Sequence, residues 1–186
     1  MKSPNLLTED EMKFLLTLAR EAITCAAEGK DFNSPDFYST TLKKKQGVFV
    51  TLHKDGELRG CIGYVEAVKP LQIAVEKMAL SAAFNDPRFP ATSKKEIDLL
   101  EIEISVLSPL KEIKNIEEIE IGTHGLIIER DFYKGLLLPQ VAVEYNWDRI
   151  TFLKHTCNKA GLPEYAWKDK NTKIQIFTAQ IFCEQS

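Results

Sequence analysis

A chain of 186 residues with a formal net charge of -3 fits one domain, or two small lobes intimately joined, and is long enough to bury a real core. Basic and acidic residues are mixed along most of its length, which leaves no broad footprint for phosphate backbones and disfavours nucleic acid as an obligate ligand. The opening Met1-Lys2-Ser3-Pro4 lacks the charged-then-apolar pattern of a secretion signal, and no apolar stretch approaches the roughly 20 residues of a membrane span, so a cytoplasmic protein without a membrane segment is expected.

In chain order, Thr8-Glu9-Asp10-Glu11 is a capping box: Glu11 stands three residues after Thr8, and each side chain can satisfy the other's amide. It predicts a helix whose buried stripe is Met12, Leu15, Leu16, Ala19, Ala22, Ile23 and Ala26, with Gly29 as the left-handed cap. The polar Asn33-Ser34-Pro35 loop follows. Lys43-Lys44-Lys45 is read as a solvated approach to a strand at Gln46 to His53. Asp55-Gly56 predicts a type I′ hairpin turn, so Leu58-Arg59-Gly60-Cys61-Ile62-Gly63-Tyr64 becomes the second arm. A two-residue loop then pairs Val50 with Cys61, Thr51 with Gly60 and Leu52 with Arg59. Arg59 and Cys61 would share a face with Val48, Val50 and Leu52, and His53 would point away from them.

Pro70 suits the first turn of a second helix, with Leu71, Ala74, Val75, Met78, Ala79 and Ala82 as a stripe of small residues. That helix must stop near Asn85-Asp86-Pro87, and Arg88-Phe89-Pro90 then places a guanidinium on a stiff loop. Leu100 to Leu107 alternates as a strand with Glu101, Glu103 and Ser105 on a wet face. Ile113 to Ile121 is acidic and its type stays open. Leu126 to Glu129 reads as a strand, followed by a turn around Asp131 to Gly135. Leu136 to Val143 reads as a further strand that Pro139 demotes to an edge or a bulge. Trp147, Ile150, Leu153, Cys157 and Ala160 form one helical face capped by Gly161, which turns Cys157 to the core and His155 away from it. Lys173 to Cys183 reads as a last strand with a bulge. The sum is an α+β protein: an antiparallel β-sheet core with flanking helices.

The search for chemistry narrows to one thiol. Three histidines and four cysteines lie scattered without chelating spacings, so no metal site is expected. There is no phosphate-cradling glycine loop, GxSxG elbow or Rossmann fingerprint, and no cofactor is expected. Cys61 stands between Gly60 and Gly63; glycines within a strand mark a bulge or a close approach by another backbone or a ligand, and two of them around one thiol suggest an approach to that thiol. Arg59 on the same face, about 7 Å along the strand, would lower the thiol's pKa and favour thiolate. The competing reading is plain packing, since cysteine is among the most buried residue types, and on the residues alone packing is the heavier reading.

Leu58-Arg59-Gly60-Cys61-Ile62-Gly63, the Phe84-Asn85-Asp86-Pro87-Arg88-Phe89 loop, the Gly135 to Val141 segment with Leu138-Pro139-Gln140, and the Trp147 to Leu162 helix together resemble the AMMECR family. The resemblance runs from about Leu16 to Cys183. It implies one AMMECR-type domain over residues 1–186, built as two intermingled lobes. It supplies no reaction. Prokaryotic members often occur beside a Memo-type protein and a radical SAM protein, which makes those the partners it implies, while roles in transcription, repair or translation have been suggested for animal members. Tyr64 follows the motif where members often carry threonine. Two readings follow: an enzyme or accessory subunit in which Cys61 reacts or is modified, Arg59 and Arg88 hold a small anionic ligand and Asp86 orients an arginine; or a binding or regulatory module in which Cys61 is structural.

Overall fold

The computed structural model describes residues 7–184. Its first helix, α1 (Glu9–Ala27), starts where the capping box places it: the Thr8 amide donates to the Glu11 carboxylate at 2.9 Å and the Glu11 amide to the Thr8 hydroxyl at 3.3 Å. Gly29 takes a φ of 68° beyond its end, and the Lys30 amide closes the cap on the Cys25 carbonyl. The buried stripe is Leu15, Leu18, Ala19, Ala22 and Ile23, with Glu11 also buried. Leu18 therefore replaces the expected Ala26, which is exposed.

Strands β1 (Val48–Lys54) and β2 (Glu57–Tyr64) form the hairpin. Its turn is Asp55-Gly56, at φ 54° and 78°, as a type I′ turn requires. The register departs from the simple expectation. Lys54 pairs with Glu57 and His53 with Leu58, but Leu52 pairs with Gly60, Thr51 with Cys61 and Val50 with Ile62. Arg59 is the extra residue of a β-bulge, which moves every later side chain of β2 to the opposite face from that expected. Cys61 therefore shares its face with Thr51 and not with Val50 and Leu52, and by alternation His53 lies on that same face.

Helix α2 (Leu71–Phe84) buries the predicted stripe and Ala83 as well. It packs with α1 on the side of the sheet that carries Val48, Val50, Leu52, Ile102, Ile104 and Val106, and these residues form the first core. The approach is close: a Cβ on Gly60 would stand 2.2 Å from the Ala82 carbonyl oxygen, and one on Gly63 would meet the Phe49 ring at 2.4 Å. Gly60 admits a helix backbone, one of the expected alternatives, and Gly63 an aromatic ring; the expectation that the pair opens an approach to the thiol is corrected.

Strand β3 (Leu100–Leu107) pairs along the other side of β1, and the sheet order is β2-β1-β3-β8, with β8 at Ala179–Cys183. The expected wet face of β3 is wet only in part: Glu101 is exposed, Glu103 is half-buried, and Ser105 is buried. Residues 7–107 and 180–184 make one structural unit, and residues 108–179 make a second, so the chain leaves the first and later returns to it.

The second unit holds the sheet β4-β7-β5-β6, with β4 at Lys111–Ile113, β5 at Gly125–Arg130, β6 at Tyr133–Leu137 and β7 at Lys173–Phe177. The expected strand from Leu136 to Val143 is two elements. β6 ends at Leu137, and Pro139 opens a short helix, α3 (Pro139–Glu144), because a proline at the first helical position loses no hydrogen bond. Likewise, the expected bulged last strand is β7 and β8 in different sheets, separated at Thr178. Helix α4 (Arg149–Lys159), capped by Asp148, buries Phe152, Leu153 and Cys157 in the second core.

Overpacking a fitted core site costs about 1–3 kcal/mol. Gly60→Ala is expected to destabilise the protein by that amount, read as a lowered urea midpoint; an unchanged midpoint would mean that α2 does not press on β2 as described.

Candidate functional site

β2 is the outermost strand of its sheet, so its outward amides and carbonyls need partners from elsewhere. At Cys61 the loop after α2 supplies them. The Cys61 amide donates to Asp86 Oδ2 at 2.9 Å, and Arg88 Nη2 donates to the Cys61 carbonyl at 3.2 Å. Asp86 is buried, and it also accepts the Arg88 amide at 3.1 Å, Arg88 Nε at 3.0 Å and Arg88 Nη2 at 2.7 Å. The Arg88 guanidinium beside Asp86 holds its carboxyl well below the usual carboxylate range. In return, the hydrogen bond to Asp86 raises the Arg88 pKa. This bidentate pair is the geometry in which arginine and carboxylate bind most specifically. It brings three candidates, Cys61, Asp86 and Arg88, together.

Arg59 goes elsewhere. The bulge turns it toward the loop, where Nε meets Glu96 Oε1 at 3.2 Å and Nη2 donates to the Pro90 carbonyl at 2.9 Å. It is 8% exposed, whereas the Arg88 side chain is 49% exposed. The Phe89 ring lies 5.4 Å from the Arg88 guanidinium carbon and 5.9 Å from that of Arg59, within cation–π range. Arg59 thus fastens the loop, while Arg88 is the guanidinium that solvent reaches.

The thiol's state is also corrected. Burial pushes the Cys61 pKa up, and the Thr51 hydroxyl and the Arg88 charge only partly oppose it. The cation that favours the thiolate is Arg88, where Arg59 was expected. Thr51 Oγ1 stands 3.2 Å from Sγ, and Glu103, paired with Thr51 on the next strand, adds a like-charge penalty on the thiolate. At neutral pH Cys61 is a half-buried neutral thiol that can accept one hydrogen bond and donate another. An open groove of about 780 Å³ lies elsewhere in this unit, among Lys13, Thr17, Arg20, Asp98 and Glu101, and none of the four candidates lines it.

Sequence reasoning missed Thr51, because the bulge decides which side chain faces Cys61; Gly60, next to the bulge, signals one without fixing its position or the register it leaves. It also missed Glu96, for which a signal existed. Ser93-x-x-Glu96 is a second capping box, formed as its spacing predicts, and its carboxylate is drawn down to about 2 by Arg59 and by Ser93. Among the described residues no group of three or more His, Cys, Asp or Glu side chains is arranged to hold a metal ion.

Fold and site together define an α+β protein with two antiparallel sheets in which a glycine-bracketed cysteine strand is clamped at its edge by an Asp-x-Arg loop. The AMMECR1 family model matches residues 16–182, and the chain belongs to that family. It is 46% identical over 185 residues to a protein of Methanothermobacter thermautotrophicus, covering 96% of each chain. With a protein of Methanopyrus kandleri it shares 47% identity over 188 residues, covering 96% of this chain and 91% of the other. The crystal structure of an uncharacterised protein from Pyrococcus horikoshii superposes with a TM-score of 0.88 at 44% identity, covering 92% of this chain and 90% of that one. Among the described residues no helix is long and apolar enough to cross a membrane.

Two outcomes test the site as described. Because the Asp86 pKa is depressed on folding, its contribution is present above its unfolded value of about 3.9 and is lost as pH falls through the folded one. Asp86→Asn should therefore cost about 1–3 kcal/mol at neutral pH, and the gap from wild type should shrink below about pH 4; a pH-independent gap in denaturant melts would contradict the pairing. Iodoacetamide at neutral pH should modify exposed Cys183 before Cys61, and buried Cys157 last, as peptide mass mapping over time would reveal; Cys61 reacting first would contradict a raised thiol pKa.

Proposed function

We propose that the Cys61, Asp86 and Arg88 cluster binds a small anionic group, as the ligand site of an enzyme or of an enzyme's accessory subunit. The observation that carries this reading is the Arg88 guanidinium. It is half in solvent, its Nε and Nη2 are fixed by a buried carboxylate, and its Nη1 donates to none of the described residues. A pre-oriented guanidinium with one unspent edge is suited to a carboxylate or phosphate oxygen. Asp86 orients it. The neutral thiol of Cys61, a residue tied to the same carboxylate through its backbone amide, supplies a soft contact to the bound group, or the point at which the protein is modified. Arg59 supports the site by holding the loop and does not itself touch the ligand.

The second reading, a non-catalytic interaction or regulatory module with Cys61 structural, draws on a specific observation: Gly60 and Gly63 are accounted for by helix and ring packing alone. Under either reading, the Memo-type and radical SAM proteins that accompany prokaryotic relatives are the partners to try first.

Thermal unfolding in phosphate and in malonate separates the two. If the site binds either anion, the protein gains about 1.4 kcal/mol at a concentration ten times Kd, and Arg88→Gln removes that gain whatever it does to the starting stability. No anion-dependent gain in the wild type, or an equal gain in Arg88→Gln, would leave only the interaction module.

A further inference from the structure

The bulge at Arg59 sets one row of side chains across three strands of the first unit. Cys61 pairs with Thr51, and Thr51 pairs with Glu103, so all three stand on the face of the sheet opposite α1 and α2. The first two touch directly, with Thr51 Oγ1 3.2 Å from Cys61 Sγ. Residues directly opposite across a ladder have Cβ atoms about 5 Å apart, which keeps Glu103 beside Thr51. The short Thr51 side chain is buried, whereas Cys61 and Glu103, at the two ends of the row, are half-buried.

The row carries opposite charges at its ends. At the sheet edge the Arg88 guanidinium donates to the Cys61 carbonyl at 3.2 Å, and Glu103 stands two strand spacings from Cys61, about 10 Å across the sheet. Beyond the burial that raises the Cys61 pKa, both charges reach the thiol, Arg88 favouring thiolate and Glu103 opposing it. A molecule held at Arg88 by one acidic group and lying along the row therefore meets a carboxylate at its far end. A second acidic group there is repelled, and an ammonium or other N–H donor is attracted. A carboxylate offers two oxygens and about four lone-pair sites, so Glu103 can accept a ligand's N–H alongside a donor of the protein.

We propose that the ligand of the Cys61 site is dipolar, an extended amino acid-like molecule whose acidic group sits on Arg88 and whose amino group is received by Glu103, with Cys61 and Thr51 along its middle. The inference rests on the reading of Arg88 as an anion holder and adds the other end of the molecule. Glu103 is then a specificity-determining residue that selects against dicarboxylates.

The test compares 6-aminohexanoate, hexanoate and adipate, which share a carboxylate on chains of similar length and differ at the other end. Each is titrated against the full chain, and its affinity is read from thermal unfolding at neutral pH and constant ionic strength. 6-Aminohexanoate should bind about three- to fivefold more tightly than hexanoate, and adipate no more tightly than hexanoate. Glu103→Gln should erase the preference for the amino end, and Arg88→Gln should abolish the stabilisation by all three. The wild-type ranking decides without any variant. 6-Aminohexanoate binding no better than hexanoate or adipate would overturn the dipolar ligand, and an Arg88-dependent gain in malonate or phosphate would then leave the anion reading standing. No gain from any of these anions would overturn both, and a preference that survives Glu103→Gln would remove Glu103 from the site.

Discussion

The buried carboxylate of Asp86 is the constraint on which the site depends. An edge strand leaves outward amides without a partner, and a half-buried orphan amide costs about as much as a lost hydrogen bond. Asp86 satisfies that of Cys61, but a carboxylate with so little exposure must itself be neutralised. Arg88, two residues on, does so through two nitrogens and then reaches back to the Cys61 carbonyl. The clamp acts as a one-residue substitute for a fifth strand, and it blocks the sheet edge at the point where the motif would otherwise invite pairing. Pro87 between the two partners removes a degree of freedom from the loop, and Arg59 fastens its far end through Pro90 and Glu96.

The bulge at Arg59 gives the motif its two-sided character. Before it, β2 runs in simple register with β1; after it, Gly60 faces α2 and Cys61 faces outward with Thr51. One arginine is thereby spent on structure and the other kept for solvent. The result is a thiol held neutral by burial beside a guanidinium held charged by its partner, an arrangement better suited to recognising an anion than to nucleophilic attack without further activation, since attack needs the thiolate.

Much of the fold was legible because local rules and tertiary packing agree. The Thr8 and Glu11 box, the Asp55-Gly56 turn and the small-residue stripe of α2 specify their elements from within a few residues, and the structure keeps all three. The losses have physical causes. A bulge adds one residue to a ladder, and Gly60 beside it is equally compatible with a close backbone approach, so the pairing of Cys61 was expected one place off. Pro139 is compatible with both an edge strand and a helix start, and an apolar run around it does not choose between them. Thr178 separates strands of two sheets, a tertiary fact that alternation along one segment cannot contain. Of the candidate site, Cys61, Asp86 and Arg88 were assembled from motif and loop chemistry, whereas Arg59 was misplaced because its face follows from the bulge.

Amide hydrogen exchange at Cys61 tests the clamp most directly, because an outward amide on an edge strand exchanges freely unless something holds it. The account predicts a Cys61 amide protected well above its solvent-facing neighbours in the wild type, and fast exchange in Asp86→Ala while the amides of β1 stay protected. Fast exchange at Cys61 in the wild type, or protection that survives the loss of Asp86, would contradict it.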